Sequence, residues 1–171
     1  MKLSRLLFLV SVAVSITFAL RTWVVEFIYV ATGSMEPTLM VGQKLWSDKI
    51  TLRRRPPQRG DIVVFHSPTG EDIDLVKRVI ALPGETVELK AKTVYINDQQ
   101  LSESYTIHKR VGEHLIGDTL GPLTVPPDGV FVLGDNRDES EDASVWKDKD
   151  GNRVYFVKIS DLKGLVRDPY N

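Results

Sequence analysis

Cysteine is missing from this chain of 171 residues. Its absence excludes disulfide bonds, a thiolate nucleophile and metal sites with cysteine ligands. Histidine is scarce: His66, His108 and His114 occur, and their spacing matches no metal-binding motif such as H-E-x-x-H. Zinc sites usually need three or four convergent ligands. We therefore predict no metal and no cofactor, and we interpret these histidines as surface or loop residues.

The chain also carries no large excess of positive or negative charge. The chain has 22 lysines and arginines against 23 acidic residues, so its bulk charge does not attract nucleic acid. It contains no internal repeat and no low-complexity tract, and nothing in it indicates an obligate protein partner. A chain of this length normally forms one domain, with or without a small insertion.

One long hydrophobic run is present, near the N-terminus. Leu6–Leu20 is an uncharged stretch of 15 residues, preceded by Lys2 and Arg5. A bilayer span takes about 20 residues, and the run reaches this length by continuing past Arg21, whose long side chain can extend to the interface. We therefore predict a transmembrane anchor over residues 6–25, with the lipid bilayer as its partner.

The basic residues before this run predict its orientation, because positive flanking charges stay in the cytoplasm. Residues 1–5 are then a cytoplasmic N-terminus, and residues 26–171 form an extracytoplasmic domain. A cleaved secretory signal is the alternative, since it also has a basic start and an apolar core. The small residues at 31–33 offer a cleavage site for it, and a buried core helix is the third interpretation.

Long amphipathic helices are missing after residue 31. Short apolar or alternating segments, separated by glycine and proline turns, predict a mainly β fold instead. The strands expected from the pattern are 27–30, 61–65, 73–82, 87–90, 94–101 with a hairpin turn at Asn97-Asp98, 130–133, 154–157 and 165–166, with one helical turn at 160–163.

Two polar segments are predicted as loops. Arg53–Arg59 is basic and interrupted by two prolines. A solvated loop explains it, and contact with anionic lipid headgroups is the alternative, since each basic residue near such a surface contributes roughly 1 kcal/mol. Ser102–Pro127 is rich in glycine and proline and is predicted to belong to a small flexible insertion.

Ser34 and Lys77 are a candidate nucleophile and its base. A serine hydroxyl is weak until a base removes its proton. A free lysine has a pKa of about 10.4, but burial against apolar neighbours lowers it, and in a strand Lys77 points to the same side as Leu75 and Val79. Taken singly, a structural turn at Ser34 and an exposed strand lysine explain these residues as well.

Acyl transfer also needs hydrogen-bond donors for the developing oxyanion. The backbone N–H of Ser34 and the hydroxyl of Thr32 are candidates, and Gly33 between them permits a tight backbone. A later polar segment, 134–142, reads as a turn in which Ser140 can orient a lysine amine. Charges available to pair there are Arg78, Arg137, Asp135, Asp138 and Asp142.

Four segments, in this order, resemble the sequence boxes of the type I signal peptidases, the membrane-bound Ser/Lys endopeptidases that remove signal peptides from exported proteins. Jointly they are specific, and they extend to about residue 146. The segments are Ser34-Met35-x-Pro37-Thr38-Leu39, Arg59-Gly60-Asp61-Ile62-Val63-Val64-Phe65, Lys77-Arg78-x-Ile80-Ala81-Leu82-Pro83-Gly84-Glu85 and Gly134-Asp135-Asn136-Arg137-x-x-Ser140-x-Asp142.

The resemblance implies a role for each matched residue. Ser34 is the expected nucleophile and Lys77 the expected general base. Thr32 and the N–H of Ser34 would form the oxyanion hole. Supporting roles fall to Ser140, which would hold the amine, to Asp135, which would pair with Arg78, and to Asp142. The implied fold is a body of two antiparallel β-sheets with a small β insertion at about 93–125.

The implied substrates are the signal peptides of exported preproteins. The peptide is expected to lie as an extended strand against two edges of the enzyme. Small pockets there would accept alanine-like residues at the first and third positions before the cut. The implied location is a bacterial plasma membrane or a thylakoid membrane. The expected substrate-binding residues are Val30, Ala31, Met35, Leu75 and Val76.

The chain departs from the family pattern at two places. Ala31 and Thr32 replace the usual proline and serine, which adds a methyl group beside the oxyanion hole. Ala143 and Ser144 replace the usual serine and arginine, so the salt bridge expected for Asp142 loses its partner. Activity is expected to survive, because both departures fall on supporting roles.

Two other functions stay open at this stage. One is a self-cleaving regulator of the related Ser/Lys fold, which the predicted anchor disfavours, because such regulators carry a DNA-binding segment. The other is a catalytically disabled, membrane-tethered β module that binds exported polypeptides, which the altered last segment would suit.

Overall fold

The computed structural model describes residues 3–167. Its first element is the helix α1, Leu3–Trp23, which is long and apolar enough to span a membrane. Its hydrophobic side chains are bare, with Phe8 66% and Phe18 73% exposed. Apolar surface on this scale needs cover, so α1 is a transmembrane candidate. Residues 1–2 of the predicted cytoplasmic N-terminus and residues 168–171 of the predicted extracytoplasmic domain lie outside the described residues.

The body that follows α1 is built from short strands. Between residues 24 and 167 the regular elements are β1 Val25–Tyr29, β2 Lys44–Asp48, the one-turn helix α2 Thr51–Arg54, β3 Ile62–His66, β4 Asp74–Ala81, β5 Thr86–Lys90, β6 Thr93–Ile96, β7 Gln99–Gln100, β8 Leu120–Thr124, β9 Gly129–Leu133, β10 Val157–Lys158 and β11 Leu162–Arg167, with 3₁₀ turns at Gly33–Met35 and Ile159–Asp161.

These strands form two sheets. The large sheet has seven strands in the order β1-β2-β11-β3-β4-β9-β10, and the small sheet has four in the order β7-β6-β5-β8. Every pairing within them is antiparallel. The prediction of a mainly β fold with two antiparallel sheets behind an apolar helix is therefore confirmed.

The principal core joins the two sheets. The large sheet contributes Phe65, Val79 and Phe131, and the small sheet contributes Val87 and Val94; each of these side chains is fully buried. Successive residues of a strand face opposite sides, and β9 is buried at all five positions. The core therefore holds β4 and β9 rigidly side by side.

A second, smaller core lies on the opposite face of β3, β4 and β11. It contains Val30, Met35, Leu39 and Leu45. Val30 follows β1, Leu45 lies in β2, Met35 lies in the 3₁₀ turn that carries Ser34, and Leu39 follows that turn. Their packing against alternate residues of the sheet, Val76 among them, fixes the turn on the large sheet.

Three local predictions about secondary structure are wrong. Leu120–Thr124 forms β8 inside a segment predicted to be a loop, because it pairs with β5 despite its Gly-Pro sequence. Thr51–Arg54 forms a helical turn where a loop was expected, and its start is capped by Asp48. Lys44–Asp48 was not predicted as a strand, because its sequence does not alternate between apolar and polar residues in step with burial. The buried positions are Leu45 and Ser47, and the apolar Trp46 points outward.

The C-terminal predictions need smaller corrections. Only Val157 of the expected strand 154–157 lies in a strand, β10 Val157–Lys158, and the helical turn expected at 160–163 lies at Ile159–Asp161. Lys163 belongs to β11, which pairs with both β2 and β3. The last strand, β11, is thus an interior strand of the large sheet, with a paired strand on each side.

Candidate active site

Ser34 lies in the 3₁₀ turn Gly33–Met35 and is 8% exposed. The neighbouring Met35 is buried in the small core and anchors the turn. From the other side, the backbone N–H of Asn136 donates to the Ser34 carbonyl over 3.1 Å. The Asn136 side-chain amide donates to the Gly33 carbonyl over 3.1 Å. The serine is therefore held from both sides.

Lys77 lies within β4, where it pairs in register with Val63 of β3. Its side chain is buried, with 3% of the residue exposed. Its Nζ lies 2.8 Å from Ser34 Oγ, although the two residues are 43 positions apart. The structure therefore brings the two predicted catalytic residues into direct contact.

The surroundings of Lys77 favour its neutral form. Burial lowers the pKa of the Lys77 amine, and the nearby carboxylates of Asp142, Glu141 and Asp135 oppose this shift without reversing it. Loss of water disfavours an ammonium ion because the ion loses its hydration. A neutral amine keeps a lone pair that can accept the proton of the Ser34 hydroxyl.

Thr32 lies two residues before the serine. Its Oγ1 is 3.4 Å from Ser34 Oγ, and its backbone is extended. The residue is exposed to the open side of the site. Its hydroxyl is thus next to the reacting oxygen and free to turn toward a substrate.

Arg78 and Asp135 form a buried, two-pronged ion pair beside the site. Arg78 Nε and Nη2 donate to the two Asp135 oxygens over 2.8 and 2.6 Å. Thr38 donates its hydroxyl to the same carboxylate, and the Arg78 guanidinium lies 3.9 Å from the centre of the Tyr105 ring. The predicted pairing of Asp135 with Arg78 is therefore present in the structure. Asp135, which follows β9, is therefore joined to β4 through Arg78 and to the nucleophile segment through Thr38.

Ser140 does not make the contact expected of it, and Asp142, whose arginine partner is missing from the sequence, has other partners. Within residues 3–167, the buried Ser140 Oγ has no hydrogen-bond partner, so it does not hold the Lys77 amine here. Asp142 accepts bonds from the N–H of Gly134 over 2.9 Å and from the N–H and hydroxyl of Ser144 over 3.0 and 2.7 Å. Asp142 is therefore bound by uncharged donors. One of them is the side chain of Ser144, the residue that replaces the arginine of the family pattern.

An apolar cleft runs up to the serine. Its volume is about 290 Å³. Strand β9 pairs with β4 from Arg78 onward, so the cleft side of residues 74–77 carries no neighbouring strand in the described part of the chain. The cleft brings together all five predicted substrate-binding residues, which are Val30, Ala31, Met35, Leu75 and Val76.

Sequence reasoning missed four residues that contribute to the site. Asn136 was read as a turn residue, but it clamps the Ser34 turn. Thr38 lies in the first matched segment, and that match was the only available signal for it. Tyr105 and its partner Glu103, which also binds Arg137, lie in a segment predicted to be a loop and carried no signal.

A metal centre is not assembled at this site. Across residues 3–167, no group of three histidine, aspartate or glutamate side chains is placed to hold a metal ion. The polar groups next to Ser34 Oγ are the Lys77 amine and the Thr32 hydroxyl. They match acyl transfer to a serine.

Comparison with known proteins identifies the family. Residues 3–170 match the profile described as signal peptidase, peptidase S26. The probable signal peptidase I-2 of Synechocystis sp. is 38% identical over 139 residues, or 78% of this chain and 61% of that protein. The probable signal peptidase I-1 of Synechocystis sp. is 41% identical over 145 residues, or 81% of this chain and 71% of that protein. The chain belongs to the S26 signal peptidase family.

A solved structure agrees with this assignment. The crystal structure of a signal peptidase I from Enterococcus faecalis is 37% identical and superposes with a TM-score of 0.51. The match covers 66% of this chain and 98% of that chain. The aligned part of the present chain, by contrast, spans only about three fifths of the first Synechocystis relative.

Proposed function

We propose that this protein is a signal peptidase I, a membrane-bound serine endopeptidase that cleaves N-terminal signal peptides from exported preproteins. The observation that carries the proposal is the 2.8 Å distance between Lys77 Nζ and Ser34 Oγ at the wall of an apolar cleft. Membership of the S26 family supports the same reaction.

The first chemical step in this proposal is the attack of Ser34. Neutral Lys77 takes the hydroxyl proton, and Ser34 Oγ bonds to the scissile carbonyl carbon. The burial that lowers the Lys77 pKa makes the unprotonated amine available near neutral pH. The carbonyl oxygen becomes an oxyanion in the tetrahedral intermediate.

Stabilisation of that oxyanion is assigned to the N–H of Ser34 and the hydroxyl of Thr32. Donors aimed at the developing charge lower the barrier because they need no reorganisation during the reaction. The 3.4 Å separation of Thr32 Oγ1 from Ser34 Oγ supports this role. The added methyl group of threonine, compared with serine, leaves the hydroxyl in place.

The remaining steps return the enzyme to its starting state. The protonated Lys77 gives its proton to the leaving amine as the C–N bond breaks, and the signal peptide stays esterified to Ser34. Lys77 then takes a proton from water, and the resulting hydroxide attacks the ester carbonyl. Ser34 recovers its proton as the ester bond breaks. One lysine thus acts in both halves of the reaction.

Substrate is proposed to bind in the cleft as an extended strand. The unpaired side of residues 74–77 offers main-chain hydrogen bonds, and Val30 faces it across the cleft. Side chains of alanine size fit the apolar pockets near Ala31, Met35, Leu75 and Val76. Tryptophan or phenylalanine at the first or third position before the cut is excluded by its size.

Supporting roles are assigned to four residues around the dyad. The ion pair of Arg78 with Asp135 keeps β4 and the turn after β9 in register. Asp142 fixes Gly134 through its backbone N–H. Ser140 is proposed to bind the Lys77 amine after its side chain rotates, because its hydroxyl is buried and has no other partner in residues 3–167.

The proposed location is a bacterial plasma membrane or a thylakoid membrane. Helix α1 fits a single-pass anchor, and the basic residues Lys2 and Arg5 in the N-terminal sequence favour an N-terminus in the cytoplasm. The catalytic body then lies on the far side, where exported chains emerge. A serine protease of this kind needs no metal and no cofactor.

Incubation of the detergent-solubilised full chain with a purified preprotein tests the proposal. Mass spectrometry should detect a new N-terminus that follows a small-x-small sequence, and the Ser34→Ala variant should produce none. A disabled module that only binds exported chains would capture the preprotein and leave it intact. That result would overturn the peptidase assignment.

A further inference from the structure

A second cavity lies at the C-terminal end of α1, away from the catalytic cleft. Its volume is about 580 Å³. Thr22 of the last helical turn lines one side, and Arg53 of α2 lines another. The lining is mostly polar, and Leu52 and Leu162 contribute apolar surface to it. The cavity therefore lies at the junction of the helix and the body.

The charges that line this cavity are mostly positive. Lys49, Arg53 and Lys163 face one carboxylate, that of Glu26. Lys49 binds Glu26 over 2.8 Å, and Lys163 binds Asp74, which lies off the lining, over 2.5 Å. Among residues 3–167, Arg53 makes no ion pair and is exposed. A positive charge thus remains available.

The position of the cavity matches the level of lipid headgroups. A helix of 21 residues is about 31 Å long, which equals the roughly 30 Å thickness of the hydrocarbon layer. If α1 spans the bilayer, its C-terminal turn reaches the membrane surface. The bare apolar side of the helix, with Phe18 73% exposed, leads from this surface into the hydrocarbon.

We propose that this cavity binds the phosphate headgroup of an anionic phospholipid, with the acyl chains lying along α1. Arginine presents paired donors that match the oxygens of a phosphate, so Arg53 is the expected principal ligand. Lys49 and Lys163 supply further positive charge. The exposed apolar side chains of α1 beside the cavity, together with Leu52 and Leu162 in its lining, suit a lipid better than free phosphate, which has no apolar part to bury.

This inference goes beyond the proposed peptidase activity and does not depend on it. It assigns a function to the basic segment after β2, which the catalytic steps do not use. A lipid bound there would hold the body against the membrane surface at a second point. Binding of lipid, measured without any cleavage, is the appropriate readout.

Native mass spectrometry of the full chain in a neutral detergent tests the proposal. Phosphatidylglycerol should bind more tightly than phosphatidylcholine, whose headgroup has no net charge. The Arg53→Gln variant should weaken phosphatidylglycerol binding about fivefold, since one basic residue at such a surface contributes about that factor. Binding of phosphatidylcholine, whose phosphate charge is offset by its choline group, should change less.

The matched control is Arg54→Gln, which removes the same charge from the adjacent, exposed arginine that does not line the cavity. A distinctly smaller loss than that of Arg53→Gln supports a site. Equal losses from the two variants would indicate diffuse attraction and contradict it. Displacement of the lipid by millimolar inorganic phosphate would show a phosphate site instead, and equal affinity for the two lipids would also overturn the proposal.

Discussion

The two sheets of this protein differ in what they bury. The strands of the small sheet bury only apolar side chains, such as Val87, Leu89, Val94 and Ile96. The large sheet and its connections bury a lysine, an arginine, an asparagine and several carboxylates. Burial of such groups is unfavourable unless they are paired. Asp118, between β7 and β8, is the buried carboxylate on the small-sheet side in the described residues, and the remaining buried charges gather mainly around Ser34. The burial of charge is therefore greatest at the candidate site.

The partners of the buried polar groups sharpen this difference. Arg78 and Asp135 neutralise each other, and Asp142 is bound by three donors. Lys77 has no carboxylate within salt-bridge distance in the described residues, and its one hydrogen-bond partner is Ser34. The other buried charges named here thus have partners that stabilise their charged forms. Lys77 has no such partner, so its neutral form is favoured.

The strongest test of the comparison is the removal of the nucleophile. Ser34→Ala should reduce preprotein cleavage roughly 10⁴-fold or more, because the variant lacks the hydroxyl that forms the ester with the substrate in the proposed reaction. The fold should remain, since alanine fits the same turn. Gel or mass-spectrometric assay of the trimmed preprotein, with circular dichroism as the folding check, measures both. Near-normal cleavage would remove Ser34 from the mechanism.

The second test replaces the base. Lys77→Met keeps the volume and should abolish cleavage to a similar extent, and Lys77→Arg should not restore it, because arginine stays protonated. The stability effect has a defined sign. The buried amine binds its proton less tightly than the unfolded chain does, so wild-type stability should rise as the pH approaches 10.5, the ordinary pKa of lysine.

Lys77→Met should lose that rise in stability. Urea unfolding of the wild type and the variant at several pH values provides the measurement. Parallel pH dependence of the two proteins would show that the amine is not shifted. Cleavage by the methionine variant at wild-type rates would exclude the lysine as base.

The third test breaks the ion pair of the large sheet. Asp135→Asn should destabilise the fold by about 3 kcal/mol, because it leaves the Arg78 guanidinium buried without its counter-charge. The matched change in the small sheet, Glu88→Gln, breaks a surface pair with Lys90 and should leave the unfolding midpoint nearly unchanged. Similar midpoints for both variants would contradict the contrast between the sheets.

The fourth test removes apolar packing from the small sheet. Val94 is fully buried, so Val94→Ala should lower the free energy of unfolding by about 2 kcal/mol. The rate of cleavage should stay normal at temperatures where the variant is folded, because no catalytic group touches the side chain. A specific loss of kcat in the folded variant would show that the small sheet takes part in catalysis.

The smallest expected effect is electrostatic. The charge of Glu141 raises the pKa of Lys77 against the larger effect of burial. Glu141→Gln should therefore move the acidic limb of the pH–rate profile to lower pH by a few tenths of a unit, since the carboxylate is exposed and screened. Glu88→Gln, on the small sheet, is the control and should not move it. A shift to higher pH would have the wrong sign.

Much of the fold could be predicted because the signals were local. Alternation at 87–90 predicted a strand, and the Asn97-Asp98 turn predicted a hairpin over 94–101. The structure has both, as β5 and as the β6–β7 hairpin, with positive φ at the two turn residues. The strand β8 could not be predicted. Its Leu120–Thr124 sequence contains glycine and proline, and only pairing with β5 makes it extended.

The site divides in the same way. Ser34 and Lys77 were predicted because each lies in a motif, and the structure sets them in contact. The positions of Asn136 and Tyr105 could not be predicted, since they act across the fold on Ser34 and Arg78. The free Ser140 hydroxyl is also a tertiary result, because the distance between its loop and β4 determines whether it reaches the amine.

By itself, the sequence determined the apolar helix, the β character of the body and the residue types available for catalysis, because these depend on neighbours along the chain. The tertiary structure alone decided that one lysine would be dehydrated and placed 2.8 Å from one serine. A pKa depends on the water, charges and donors around a group in space. Residues from β1, β4 and the turn after β9 supply that environment only when the sheets have assembled.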